Sequence, residues 1–176
     1  MAIPVTLEDA KRQLRMELDD ASQDDEILGF IADAAAWVEK YTGHILVARA
    51  VTQEFPSFGL APLRAWPVKP SATAIVTYLD SSGNSVAFTG MRLCAATRPA
   101  RIIPFPAFGF SSPRDTNMIV TVRAGYEPGD VVPGNLRRAM LVLIGAYDAD
   151  REGGDTFAKA EAVARKLCGD FRPRVL

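Results

Sequence analysis

The chain predicts an α+β fold: a four-helix bundle-like core built from both ends of the sequence, with a small antiparallel β-sheet inserted between them. Three observations lead there. Apolar residues recur at helical spacing near both ends, from Leu7 to Tyr41 and from Leu136 to Leu167. Ten of the twelve prolines lie between Pro56 and Pro133, a distribution that disfavours long helices in the middle. That same middle holds short apolar runs bounded by turn residues, which read as strands. A length of 176 residues, 48% of them hydrophobic and 23% charged, suits one globular domain with a core of ordinary size.

The elements follow in order. Thr6 is placed to cap a first helix, with Glu8 and Asp9 at the positive end of its dipole and Leu7, Ala10, Leu14 and Leu18 on one stripe. Asp19-Asp20-Ala21 interrupts the pattern. Ser22, with Asp25 at capping-box spacing, predicts a second helix that runs through Ile27, Ile31, Ala34, Val38 and Tyr41. Phe30 and Trp37 widen its apolar surface, and Gly43 stops it. Strands are expected over 47–54, 72–79, 85–93 and 118–124, with Asp80-Ser81-Ser82-Gly83-Asn84 as a hairpin loop. Arg98–Pro113 reads as an extended apolar loop carrying Phe105, Phe108 and Phe110. Leu136, Met140, Leu143 and Tyr147 mark a third helix ended by Gly153-Gly154. Asp155 is the expected cap of a fourth, with Phe157, Ala160, Val163, Ala164 and Leu167 inward and Gly169 as its stop. The expected organisation is one domain: helices over 6–43 and 133–169, a β-type insertion over 45–126 and a C-terminal tail over 170–176.

The residues argue against several chemistries. His44 is the single histidine and has no cysteine or acid cluster beside it, so a structural role is expected rather than a catalytic or metal-binding one. The acids between Asp19 and Glu26 miss the calcium-loop spacing and lack its glycine. The glycines form no phosphate cradle, and the paired serines at 81–82 and 111–112 lack a nucleophile-elbow context. No catalytic residue, metal or cofactor is expected. Cys94 and Cys168 form no CxxC motif and read as reduced thiols. The N-terminus lacks a signal-peptide pattern, and no apolar run approaches the ~18 residues that span a bilayer. A soluble, cytoplasmically made protein without a membrane partner is the expectation.

Charge is nearly balanced overall, at −1, but unevenly placed. Between Glu8 and Glu26 eight acids stand against Lys11, Arg12 and Arg15, a net of −5. Between Ser57 and Arg123 seven bases stand against Asp80 and Asp115, a net of +5. An acidic face bearing Asp19, Asp20, Asp24 and Asp25 would complement a basic face bearing Arg98, Arg101 and Arg114 on a neighbouring subunit. The basic middle also admits a small nucleic-acid-binding module, although its aromatics alternate with prolines rather than forming a stacking platform.

The opening Val5-Thr6-Leu7-Glu8-Asp9-Ala10-Lys11-x-x-Leu14-Arg15, followed by Asp24-Asp25 and by Trp37-Val38-Glu39-Lys40-Tyr41-Thr42-Gly43, resembles the head–tail connector (adaptor, or DNA-packaging) family of long-tailed bacteriophages and phage-derived particles. Val132-Pro133-Gly134-Asn135-Leu136-Arg137-Arg138-Ala139 through Tyr147 to Arg151-Glu152 resembles the family's later helix. Leu167-Cys168-Gly169-Asp170-Phe171-Arg172 sits where many members end, with Gly169-Asp170 departing from their usual residues and His44 replacing their usual base after the glycine. The resemblance implies a structural, non-enzymatic subunit of a ring of about twelve copies following the portal symmetry. Such a ring docks under the capsid portal, extends the DNA channel and meets a head-closure (stopper) or tail protein. DNA passes through its lumen without sequence readout. The implied place is the virion's head–tail joint, after synthesis in the bacterial host cytoplasm. Matched onto this chain, the family's portal-gripping tail places Phe171, Arg172, Pro173 and Arg174 at the portal contact. Another head-completion or tail-terminator component is the alternative structural reading.

Overall fold

The chain is described by a computed structural model over residues 4–105, 116–150 and 154–172. It divides into two units: Met1–Val47 with Tyr126–Leu176, and Ala48–Gly125.

The first unit is helical. Helix α1 (Leu7–Leu14) starts at a reciprocal capping box: Thr6 Oγ1 accepts from the Asp9 amide and Asp9 Oδ2 accepts from the Thr6 amide, both at 3.1 Å. Arg15, left-handed at φ 58°, ends it. Leu18 therefore lies beyond the helix and is exposed, not part of its stripe. Helix α2 (Asp24–Thr42) begins one residue later than a cap at Ser22 predicts. The Ser22 amide donates to Asp20 Oδ1 at 2.9 Å, so this pair forms a turn ahead of the helix, and Gln23 holds the N-cap without a side-chain bond. Gly43 (φ 70°) ends α2 as its backbone freedom allows, and its N–H reaches the Glu39 carbonyl at 2.8 Å.

Helix α3 (Gly134–Ala149) and helix α4 (Asp155–Cys168) complete the set. Asp155 is not the cap of α4. Gly154 takes that position, and Asp150 Oδ2 accepts from the Phe157 amide at 3.2 Å. Gly169 keeps right-handed angles, so the chain tightens into a 3₁₀ turn (Gly169–Phe171) instead of stopping. Ile27, Ile31, Ala34 and Val38 of α2 share one buried core with Leu136, Met140, Leu143 and Ile144 of α3 and Ala164 and Cys168 of α4. Each of the larger side chains contributes about 1.5–3 kcal/mol by leaving water. Val163, expected inward, is 46% exposed because Ala164 and Cys168 define the buried side of α4.

The second unit holds two antiparallel sheets where the sequence predicted one. Strands β1 (Arg49–Phe55), β3 (Ala74–Leu79), β4 (Ser85–Ala87) and β7 (Met118–Ala124) form a sheet of order β1-β7-β3-β4. Strands β2 (Ala61–Pro62), β5 (Met91–Cys94) and β6 (Arg101–Pro104) form the other, of order β2-β6-β5. The predicted strand over 85–93 is thus two strands in different sheets, parted at Phe88–Gly90. Part of the predicted loop 98–113 is strand β6, whose Ile102 is buried. Strand β7 alternates as a sheet with one buried face should: Met118, Val120, Val122 and Ala124 are inside. The hairpin loop 80–84 forms as expected. The Asp80 carboxylate accepts from the Ser82 and Asn84 amides at 2.9 and 2.8 Å, and those bonds hold its pKa below the usual range. Phe108 and Phe110 lie outside the described residues.

The cap of α1 carries a testable consequence. Asp9 also pairs with Arg137 (Oδ1–Nη2, 2.7 Å), which additionally donates to the Pro4 carbonyl at 3.1 Å. The Thr6 amide foremost, with Arg137 behind it, lowers the Asp9 pKa. A carboxylate whose pKa is lowered by folding stabilises the fold above its unfolded value and loses that contribution as pH falls through the folded one. Thr6→Ala is expected to cost about 1 kcal/mol. Amide exchange of α1 near neutral pH measures that loss, and the wild-type chain should lose the Asp9 contribution on acidification below pH ~4.

Candidate interaction site

At the C-terminal end of α2 half-buried aromatic rings meet exposed charged groups. Trp37 and Tyr41, one turn apart, stack with ring centroids 5.0 Å apart. From α4, Glu161 Oε1 accepts from Trp37 Nε1 at 3.1 Å and from Arg165 Nη2 at 2.9 Å. These bonds, Arg165 first, lower the Glu161 pKa. The Arg165 and Arg172 guanidinium groups lie over the Tyr41 ring, 5.7 and 5.0 Å from its centroid. With Lys40 these residues line an open cleft of about 390 Å³. Among the described residues there, three cations face one carboxylate.

Immediately beside it Phe171 is tied to the end of α2. The Phe171 ring meets His44 edge-on at 5.4 Å, and His44 Nδ1 lies 2.8 Å from the Tyr126 hydroxyl. His44 is buried, and its role is structural: it links the end of α2 to Tyr126 and to the root of the C-terminal tail. Of the residues proposed for portal contact, Phe171 and Arg172 thus pack on their own unit, while Pro173 and Arg174 lie outside the described residues.

The four candidate acids occupy different situations. Asp24 Oδ1 is 2.5 Å from Lys11 Nζ. Lys11 is only 3% exposed and also donates to the Leu18 and Asp20 carbonyls at 3.1 and 2.7 Å. Asp20 turns its carboxylate to Ser22, which lowers its pKa. Asp19 and Asp25 stand exposed. In the other unit Arg98 lies over the Trp66 ring at 5.9 Å, and Arg101 is half-buried in β6. Arg114 lies outside the described residues.

Two features escaped the sequence reading. Lys11 looked like one of three ordinary surface cations. Its signal was its place between Leu7 and Leu14 at helical spacing, on the face whose leucines pack inward. The other is the convergence of Arg165 and Arg172 on the Trp37–Tyr41 pair: the two rings widen the apolar stripe and pack against the core as expected, but no local pattern places the arginines over them.

Among the described residues, no group of histidine, cysteine and acidic side chains is placed to hold a metal. None of the described helices is long and apolar enough to cross a membrane. Both cysteines are free, and burial pushes the Cys168 thiol up to about 11, which keeps it protonated and unreactive.

Residues 4–62 match the family described as phage gp6-like head-tail connector protein. No curated protein matches the chain. Among solved structures, a chain in the neck of an empty GTA particle computed with C6 symmetry aligns with a TM-score of 0.80 and 22% identity, covering 100% of this chain and 95% of that one. A chain in the virion of the native gene transfer agent (GTA) particle aligns at 0.75 and 21%, again covering 100% and 95%. A third, in the neck of the native particle computed with C12 symmetry, aligns at 0.73 and 22%, covering 100% and 94%. At such identities the likeness establishes the fold, α+β with four helices and small antiparallel sheets. Residues 4–62 thus resemble the gp6-like head-tail connector family in sequence, and the whole chain shares its fold with chains of these particles.

Proposed function

We propose that the protein is a non-catalytic ring subunit at the head–tail joint of a virion or phage-derived particle. About twelve copies sit under the capsid portal, extend the DNA channel and present a platform to a head-closure or tail protein. The observation that carries this reading is the agreement of the whole chain with chains of particle necks computed with C6 and C12 symmetry. The helices supply a bundle-like core, and the β-rich unit is an insertion in one connector domain. DNA passes the lumen without base-specific contact, and synthesis takes place in the bacterial host cytoplasm.

Two contacts belong to the proposal. Phe171 and Arg172 anchor the root of the tail, and the tail from Pro173 and Arg174 onward grips the portal. The acidic turn of Asp19, Asp20, Asp24 and Asp25 meets a basic surface of the next subunit, for which Arg98, Arg101 and Arg114 are one candidate.

Deleting the gene from its parent phage or prophage tests the function directly. Electron microscopy should then show free tails beside tailless or emptied heads. Normal tailed particles would refute the connector role.

A further inference from the structure

We infer that the cleft at the C-terminal end of α2 receives the acidic α1–α2 turn of a second copy of this chain. The inference rests on the ring reading and names its contact. The two surfaces lie at opposite ends of one rigid element: from Asp25 to Lys40 is about 22 Å along the α2 axis. One end is acidic. Asp19 and Asp25 are exposed there, and among the described residues neither has an ion-pair partner. Leu18 beside them is 45% exposed, an apolar side chain with no core of its own. The other end carries Lys40, which also lacks a partner among the described residues, and Arg165 and Arg172 held over Tyr41. Glu161, the one carboxylate among the described lining residues, is already engaged by Arg165 and Trp37, so these residues carry an excess of positive charge.

The complementarity has a direction. Two acidic turns repel each other, and so do two basic clefts, which disfavours a two-fold pairing through either surface. Acidic end to basic end, repeated head to tail, is a heterologous contact, the kind that builds a ring when its rotation closes. The aromatic pair gives Leu18 an apolar surface, and the cations around it take Asp19 and Asp25. Arg98 and Arg101 fit the role less well, since both are half-buried, whereas Lys40, Arg165 and Arg172 are exposed.

Sedimentation velocity on a charge-swapped pair tests the contact. Lys40→Glu/Arg172→Glu makes both ends acidic, and Asp19→Lys/Asp25→Lys makes both ends basic. Each variant alone should associate at least about tenfold more weakly than wild type, a cost of about 1.4 kcal/mol. Mixed in equal amounts they should recover rings, in which the two variants alternate. In wild type, carbodiimide should couple Lys40 to Asp19 or Asp25 between differently isotope-labelled copies, a measurement that needs no variant. Normal assembly of both variants, or absence of that cross-link in wild-type rings, overturns the contact and leaves the connector reading standing. The same holds if Arg98→Glu/Arg101→Glu disrupts assembly while the cleft variants do not, or if the cleft variants assemble but lose another neck protein. A wild-type chain that stays monomeric at every salt concentration overturns the ring and the contact together.

Discussion

Lys11→Met is expected to destabilise the helical unit by about 2–3 kcal/mol, near the lower end of the cost of breaking a buried ion pair. The substitution preserves length and apolar contact but removes the ammonium that meets Asp24 at 2.5 Å and the carbonyls of Leu18 and Asp20. Asp24 retains partial solvent access, with 28% of its side chain exposed, which holds the cost below that of a fully buried pair. The loss concentrates locally. Lys11 is the link between α1 and the start of α2, so amide exchange in the first turns of both helices should accelerate before α3 changes. Measuring exchange by residue also avoids treating two units as one cooperative transition. Asp24→Asn alone should cost less, because the two carbonyl bonds of Lys11 survive. Protection factors unchanged in Lys11→Met would mean that the carbonyls are as well served by water, and the structural role of this lysine would fall.

Removing residues 173–176 is expected to weaken portal binding at least about 100-fold, some 2.7 kcal/mol, with the helical unit still folded. The reasoning starts at the anchor. Phe171 on His44 and Arg172 on Tyr41 make the root of the tail part of the helical unit, so cutting after Arg172 spares those contacts. Cutting after Gly169 also removes the Phe171–His44 aromatic pair, worth about 0.5–1.5 kcal/mol beyond its burial. The longer truncation should therefore lower the melting temperature as well as abolish binding, and only the shorter one isolates the portal contact. Co-sedimentation with purified portal rings reads the binding, and circular dichroism the fold. Undiminished binding by the shorter variant would move the portal contact elsewhere on the chain.

Much of this molecule is determined locally and was legible for that reason. The Thr6 cap, the stripe from Ile27 to Val38, the Gly43 stop and the Asp80 hairpin loop involve residues a few positions apart, and near-neighbour physics decides them. Strand β7 was legible because one buried face imposes strict alternation. The starts of α2 and α4 were not, because competing acceptors settled them: Asp20 claims the Ser22 amide, and Asp150 reaches forward to Phe157. Strand β6 and the division into two sheets depend on pairings such as Ile102 with Ala61 and Leu93, which no local pattern announces. The function-bearing arrangement shows the same division. The motifs of both ends, and with them the connector resemblance, are properties of the sequence alone. Tertiary structure decided that Lys11 is buried, that His44 ties Phe171 to Tyr126, and that Arg165 and Arg172 converge on Tyr41. The physical reason is that burial and convergent charge depend on which distant segments share a surface, and that follows only from how α2 and α4 pack.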